Sequence, residues 1–304
     1  MRALGLLSLL LPLPAWAGTG AGAPAWWVWP LALFTACFLM GIVSVPAGIG
    51  GGTLFVPIVG GFFPFHLDFV RGAGLLVALA SALSAGPMLL RGGLASLRLA
   101  LPMALLASIS SIFGALIGLA LPVAAVQVAL GLIVLGIAAL LLASKQTEFP
   151  TVRSPDRLAS ALALHGVFVD GATRHVVVWR VHRTVGGLFV FTAIGVLAGV
   201  FGIGAGWANV PALNLLMGAP LKLAAGTSGL VLSLVDSAAA WVYIHEGAVL
   251  PMVAVLSVVG MMLGARVGAR LLHVLKGEAV RRLVIALLVF AGVRALGKGT
   301  GLWA

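Results

Sequence analysis

The sequence predicts an all-α polytopic membrane protein made of two pseudo-symmetric, inverted repeats, with glycine-broken re-entrant helices and a small cytoplasmic hairpin between them. Three observations predict it: an extreme composition, a series of long apolar stretches, and an internal duplication. Hydrophobic residues make up 62% of the 304 positions, charged residues 8%, and the mean hydropathy is +1.21. A soluble chain carries about a quarter charged residues, and the 7 carboxylates and 18 Lys/Arg present could not cover the surface of a water-soluble globule this apolar. The 41 glycines point to close helix packing and broken helices rather than a leucine-rich bundle. The net charge of +11 does not require nucleic acid, because basic residues of membrane proteins gather in loops that stay cytoplasmic. One cysteine, Cys37, excludes an intrachain disulfide, a cysteine-rich metal site and a CxxC motif.

In chain order, residues 1–17 have the pattern of a secretory leader: Arg2, an apolar run through Leu13, then Ala15-Trp16-Ala17 as a cleavage site. The same residues could remain as an uncleaved start to the first membrane helix; either way the region near Gly18 faces outside. A membrane-crossing helix needs about 20 mostly apolar residues. Such stretches cover 26–63, 70–90, 99–121, 122–143, 185–217, 223–244, 248–270 and 280–297. They divide the chain into a first membrane repeat (26–143), a basic linker (144–184) and a second membrane repeat (185–297). The linker holds Lys145, Arg153, Arg157, Arg174, Arg180 and Arg183 against Glu148, Asp156 and Asp170. Within it, Val167-Phe168-Val169 and Val176 to Val181, joined through Asp170-Gly171, predict a β-hairpin.

The halves match at an offset of 154: Gly48-Ile49-Gly50-Gly51-Gly52 falls on Gly202-Ile203-Gly204-Ala205-Gly206, Val56-Pro57 on Val210-Pro211, Gly72 on Gly226 and Gly93 on Gly247. Allowing a four-residue gap, Gly114-Ala115 and Gly118 then match Gly264-Ala265 and Gly268. Duplication of this kind marks many secondary transporters, whose site lies between the repeats. If each glycine segment dips in and returns to its own side, the basic residues of 91–98, the linker, Lys222 and 266–282 all fall inside, leaving Arg71, Arg294 and Lys298 outside. That arrangement satisfies the positive-inside rule better than eight simple crossings, and it makes the repeats inverted.

Each glycine segment is followed by a short second apolar piece, Thr53 to Phe63 and Trp207 to Met217. Glycine lets the chain break, and irregular backbone at membrane depth is tolerated only inside protein or around a water-filled cavity. The half-helix that follows presents unpaired N–H groups suited to an anion. The candidate substrate site is therefore Gly50, Gly51, Gly52, Thr53 and Pro57 from the first copy with Gly204, Gly206, Asn209 and Pro211 from the second, completed by Thr227, Ser228 and Arg71. The competing reading is that the glycines merely pack helices and the prolines kink them.

These segments resemble the sulfite exporter TauE/SafE family, in Gly48-Ile49-Gly50-Gly51-Gly52-Thr53-Leu54-Phe55-Val56-Pro57, in its partial copy through Pro211, and in Gly218-Ala219-Pro220 and Ala225-Gly226-Thr227-Ser228. The resemblance runs from about residue 31 to 297. It implies a bacterial inner-membrane permease for small organic or sulfur-containing anions, such as sulfite or sulfoacetate, working without ATP hydrolysis. Two departures stand out. Ala205 and Trp207 replace small residues in the second copy, and Arg71-Gly72-Ala73-Gly74 replaces an A-G-T-S type segment in the first.

Asp236 lies well inside the 223–244 stretch, where a carboxylate costs several kcal/mol unless paired, hydrated or protonated. It is a candidate for proton coupling, or else a polar contact between helices. Arg71 could draw anions inward, pair with Asp68 or snorkel to the interface. The histidines are irregularly spaced, and no H-E-x-x-H, nucleophile-elbow or G-x-x-x-x-G-K motif is present. The chain thus reads as a non-enzyme without metal or cofactor. Its partners are a small anion and the lipid bilayer, not nucleic acid, and the same glycines that pack the halves could pack a homodimer. The rival function is a non-transporting, membrane-embedded assembly or sulfur-relay subunit.

Overall fold

The computed structural model describes residues 27–44, 50–91, 93, 95–143, 150, 152, 154–169, 176–271 and 277–302. The leader, Gly48-Ile49, the Asp170-Gly171 turn and His175 lie outside these. The elements are α1 (Val28–Ser44), α2 (Gly51–Phe62), α3 (Leu67–Arg91), α4 (Leu97–Ala120), α5 (Val123–Ala143), α6 (Arg157–Ala161), β1 (His165–Val169), β2 (Val176–Arg180), α7 (Thr184–Phe201), α8 (Gly206–Pro211) continued by a π-turn over Ala212–Leu216, α9 (Leu221–His245), α10 (Pro251–Leu271) and α11 (Gly277–Gly299). Among the described residues, α3, α4, α5, α7, α9 and α10 are long and apolar enough to cross a bilayer. The protein is an all-α polytopic membrane protein with one small sheet.

Two of the apolar stretches do not form single helices. The stretch 26–63 contains α1 and, after residues 45–49, the separate α2, and 185–217 divides into α7 and α8 with its π-turn. The second break falls where Gly202 and Gly204 take φ of 65° and 68°, a left-handed backbone that costs a residue with a Cβ. At 12 residues, α2 is about 18 Å long, short of the ~30 Å hydrocarbon core.

Helix starts recur at a constant interval. Leu67 and Leu221 open α3 and α9, Leu97 and Pro251 open α4 and α10, and Val123 and Gly277 open α5 and α11, each pair 154 positions apart. No four-residue gap is needed, and here the sequence alignment is corrected. A methyl on Gly114 would lie 2.3 Å from the Val196 carbonyl oxygen, and one on Gly268 would lie 2.6 Å from that of Ile42. Both partners and both glycines are 154 apart, so Gly114 corresponds to Gly268, not Gly264.

The same contacts show how the halves engage. α4 packs along α7, and α10 packs along α1, so the first helix of each half lies against the fourth element of the other. Small residues make both seams. A methyl on Gly195 of α7 would stand 2.2 Å from the Ala107 carbonyl of α4, and its counterpart on Gly41 of α1 would stand 2.6 Å from the Met261 carbonyl of α10. Lipid is as apolar as leucine, so helices in a bilayer associate through such close backbone approach rather than through hydrophobic segregation. On α4 the inward side carries Ala100, Ala104, Ala107, Ser111, Gly114 and Gly118, whereas Leu101, Leu105, Ile109, Phe113 and Leu116 point outward. Leu99 and Met103, near its start, are buried too; beyond them the buried side is made of small residues and the exposed side of bulky ones.

The linker is tied to the second half. Asp156 caps α6 by accepting from the Ala159 N–H at 2.8 Å, and it also accepts from the Thr184 N–H at 2.7 Å and hydroxyl at 2.8 Å. The antiparallel hairpin pairs His165 with Arg180 and Val167 with Val178, and Trp179 on its inner face is buried beneath α7 and the π-turn region. At the linker's end the backbone N–H of His182 donates to Met217 O at 3.0 Å.

Two outcomes follow from this packing. Gly195→Ala should destabilise the detergent-purified protein by about 1–3 kcal/mol, the range for overpacking, because its methyl would meet Ala107 O and Ser110 Oγ. Gly136→Ala, with nothing within 4 Å, should leave the melting temperature unchanged or slightly higher. For Asp156, burial pushes the carboxyl up, but the hydrogen bonds from Ala159 and Thr184 outweigh it and hold the group below the ordinary carboxylate range. Its contribution is therefore full above pH 4 and lost as pH falls below that. Protease sensitivity of the linker should rise on acidification in the native protein, whereas in Asp156→Asn it should already be raised at neutral pH.

Candidate substrate site at the broken helices

α2 begins at Gly50, whose φ of −60° and ψ of 144° turn the chain into the helix without a side-chain cap. Its first-turn residues Gly51, Gly52 and Thr53 are buried, and the opening N–H groups of any helix lack intrahelical partners. The start of α8 lies against this point. A methyl on Gly206 would be 2.7 Å from the Gly50 nitrogen and 3.1 Å from Leu232 Cδ1, and one on Gly50 would be 3.8 Å from Gly206 Cα. The two short helices thus begin side by side, and the positive ends of their dipoles share one place.

Side chains fill in around that junction. Thr53 Oγ1 donates to the Ile203 carbonyl at 3.3 Å, joining the first helix start to the second glycine loop. A methyl on Gly52 would lie 2.9 Å from both the Gly74 and Ile203 carbonyl oxygens and 3.0 Å from Ala78 Cβ. Gly51 faces only the flexible Met261 side chain, whose sulfur would be 2.8 Å from an added methyl. On α9, Ser228, Leu232 and Asp236 are spaced one turn apart and share a face. Leu232 covers Gly50 and Gly206, and Asp236 Oδ2 comes within 3.2 Å of a methyl position on Gly204. The positions 154 residues earlier, on α3, are Gly74, Ala78 and Ala82, so the polar side chains of this stripe come from the second half.

Two polar side chains here are buried without partners. Asn209 is 0% exposed and neither its amide nitrogen nor its oxygen is bonded; Asp236 is 0% exposed and neither carboxylate oxygen is bonded. Buried polar atoms are ordinarily paired, and an unpaired one costs about 1–3 kcal/mol. The indole Nε1 of Trp207, one residue into α8, is likewise buried and unbonded.

The remaining sequence candidates are placed as follows. Pro57 is inside α2 and Pro211 closes α8, where the chain widens into the π-turn. Thr227 Oγ1 accepts from the Ser96 N–H at 3.1 Å and so anchors the start of α4. Of the three roles open to Arg71, pairing with Asp68 is observed, and snorkelling is excluded because the residue is 0% exposed. Its Nη1 donates to Val200 O at 2.8 Å and Gly118 O at 3.0 Å, the last turns of α7 and α4, where orphan carbonyls need donors. Tyr243, which sequence reasoning missed, donates to Gly199 O at 2.9 Å and stacks beneath the guanidinium. It is the chain's one tyrosine and lies in an apolar helix, where a hydroxyl has to find a partner. Also missed were Arg294 Nε, which donates to Gly61 O at 2.7 Å, and Lys298 Nζ, which donates to Gly60 O at 3.0 Å; together they cap the C-terminal end of α2. Among the described residues no cluster of His, Cys, Asp and Glu could hold a metal.

The model of the sulfite exporter TauE/SafE family matches residues 33–295, nearly the whole chain, both broken helices included. The protein belongs to the TauE/SafE family. No curated protein and no solved structure matches it. Membership makes it a multi-pass protein of a sulfite exporter family, and its particular substrate is a matter of the site.

The TauE/SafE glycines can be separated by one experiment. Gly52→Ala should lower stability by about 1–3 kcal/mol, because two of its three obstacles are backbone carbonyls. Gly51→Ala meets only a methionine and should cost much less. Equal losses in melting temperature would contradict this geometry.

Proposed function

We propose that this TauE/SafE protein is a secondary transporter of small organic or sulfur-containing anions, such as sulfite or sulfoacetate, in the bacterial inner membrane. One observation carries the reading: two broken-helix starts meet beside a glycine loop that Asp236 faces without a partner, and Asn209, three residues into the second of these helices, is buried with neither amide atom bonded. A buried carboxamide left unsatisfied is a cost to the empty protein, and a ligand that accepts its N–H bonds removes that cost. The first turn of α2 adds free N–H groups and a dipole favouring negative charge. Asp236 is the residue in this reading that couples transport to protons, and Gly50, Gly51, Gly52, Thr53, Gly204, Gly206, Asn209 and Ser228 form the rest of the site.

In this reading the halves are inverted repeats and α2 and α8 are re-entrant. Alternating access then moves composite bodies rather than the repeats themselves. α1 and α10 are seamed together, as are α4 and α7, and buried residues form one large core around α1, α2, most of α3, α5, α10 and α11, joined by the end of α7, and another around α4, α7, α8 and α9 with Ala82 of α3. Trp207 packs against both, at the boundary where such bodies would slide.

The test is the melting temperature of the purified protein against sulfite, sulfate, thiosulfate, sulfoacetate, taurine and short carboxylates. A ligand at a hundredfold excess over Kd stabilises the fold by about 2.7 kcal/mol, so one or more of these anions should shift the transition upward. Asn209→Ala should abolish that shift while leaving the unliganded protein as stable as before, since the amide has no partner to lose. A full response in Asn209→Ala would remove Asn209 from the site, and silence across the whole panel in the native protein would remove the anion reading.

A further inference from the structure

One edge of Arg71 is not spent on the helix ends. Its Nη1 is committed, donating to Gly118 O at 3.0 Å and Val200 O at 2.8 Å, and the Tyr243 ring lies 5.7 Å from the guanidinium carbon. On the other edge Nη2 meets Asp68 Oδ1, whereas Nε is buried and has no partner. The Nε–H and an Nη2–H of a guanidinium point the same way, and this edge grips two oxygens of a carboxylate or another oxyanion at once. Asp68 gives it one oxygen; its other, Oδ2, lies toward His66 Nδ1, 3.4 Å away. The fork is half filled.

This fork lies between the surface and the glycine loops. At this end of the bundle α3 begins and α4, α7 and α9 end. The side chain of His66 is 54% exposed, that of Asp68 24% and that of Arg71 1%. Behind Arg71 comes the second glycine loop: a methyl on Gly202 would lie 2.6 Å from Arg71 Cα. One turn along α3, Gly74 touches that loop as well, and its carbonyl would be 2.9 Å from a methyl on Gly52 at the start of α2. A guanidinium this deep cannot wait empty, because an unpaired buried charge is strongly destabilising. Exchange of one oxyanion for another keeps it paired throughout. Asp68 has a second place to go, since it lies in the first turn of α3, where free N–H groups and the helix dipole favour a carboxylate. We propose that the Nε–Nη2 edge of Arg71 is an anion station, at which a small oxyanion displaces the Asp68 carboxylate on its way between this end of the bundle and the glycine loops. Asp68 is then the molecule's own stand-in for the anion, holding the place until one arrives. This rests on the reading that the protein carries small anions, and not on the inner site at Asn209.

The probe is methanesulfonate, with dimethyl sulfone as its uncharged counterpart, and the readout is the melting temperature. In Asn209→Ala the inner site is disabled while Asp68 still holds the fork, so the response should be small. A site held by its own residue loses apparent affinity in proportion to the time it is occupied. Asp68→Asn/Asn209→Ala should therefore gain an upward shift at methanesulfonate concentrations about tenfold or more below those that Asn209→Ala needs. Adding Arg71→Lys keeps the charge but not the fork and should remove most of that gain. A double variant that melts cooperatively without gaining, or that gains equally with dimethyl sulfone, overturns the proposal; so does a gain fully kept with Arg71→Lys. The native protein gives a second reading that needs no substitution. Labelling of Asp68 by a water-soluble carbodiimide and an amine, followed by mass spectrometry, should rise severalfold when methanesulfonate draws the carboxylate off Arg71, while labelling of Asp156 stays constant. Asp68 labelling that is unchanged or lowered overturns the station. If Asn209→Ala answers methanesulfonate as fully as the native protein, the inner site falls and the labelling of Asp68 decides the station by itself.

Discussion

Backbone against backbone is the contact on which this molecule depends. Where α7 crosses α4, and where α1 crosses α10, the space for a Cβ is already occupied by a carbonyl of the neighbouring helix, at Gly195 and Gly114 in one seam and Gly41 and Gly268 in the other. In a bilayer nothing drives helices together by excluding water from their sides, so the attraction must come from dispersion over closely matched surfaces. Both seams join helices from opposite halves. Neither half contains its own partner for its first helix, so the halves are stable only as an interlocked pair, and residues 144–183 carry the chain from one to the other.

That interlocking is what allows two helices to be broken in the middle. A broken helix in a membrane exposes carbonyls and amides that lipid cannot satisfy, and each exposed group needs a donor or acceptor from elsewhere. The structure supplies them from distant parts of the chain. Arg71 and Tyr243 serve the last carbonyls of α7, Arg71 also serves α4, and Arg294 with Lys298 serves the end of α2. After the π-turn, Asn214 closes the corner by donating to Ala219 O at 2.8 Å. Among the described residues, polar side chains are thus committed to helix ends and corners, and Arg71, the largest fully buried one, is among them.

This accounting explains what could be read in advance. The interval of 154 residues was legible in the placement of glycine and proline, and the helix starts recur at the same interval. The broken helices were legible as glycine runs inside apolar stretches, and the hairpin as two short β-branched and aromatic runs on either side of Asp170-Gly171. The four-residue gap was an error with a physical source. Small residues repeat every four positions along such seams, so Gly114 and Gly118 find glycines at 264 and 268, whereas at an offset of 154 Gly114 falls on Gly268 and Gly118 on Leu272. The helix ends that Arg71 serves were not legible, because they are decided by which helices arrive beside it, and the carbonyls it bonds are 47 and 129 residues away.

The two copies have diverged in a consistent direction. Where α9 has Ser228, Leu232 and Asp236, α3 has Gly74, Ala78 and Ala82; where α8 has Asn209, α2 has Phe55. The first copy kept small and apolar residues, which let the second glycine loop press against α2 and α3 to within van der Waals contact. The second copy acquired the polar groups. A site built symmetrically would hold two carboxylates near one point and would repel any anion in every protonation state but the fully neutral one. With a carboxyl in one copy and an alanine at the matching position of the other, the buried interior carries one such group where a symmetric pair would set two like charges near one point.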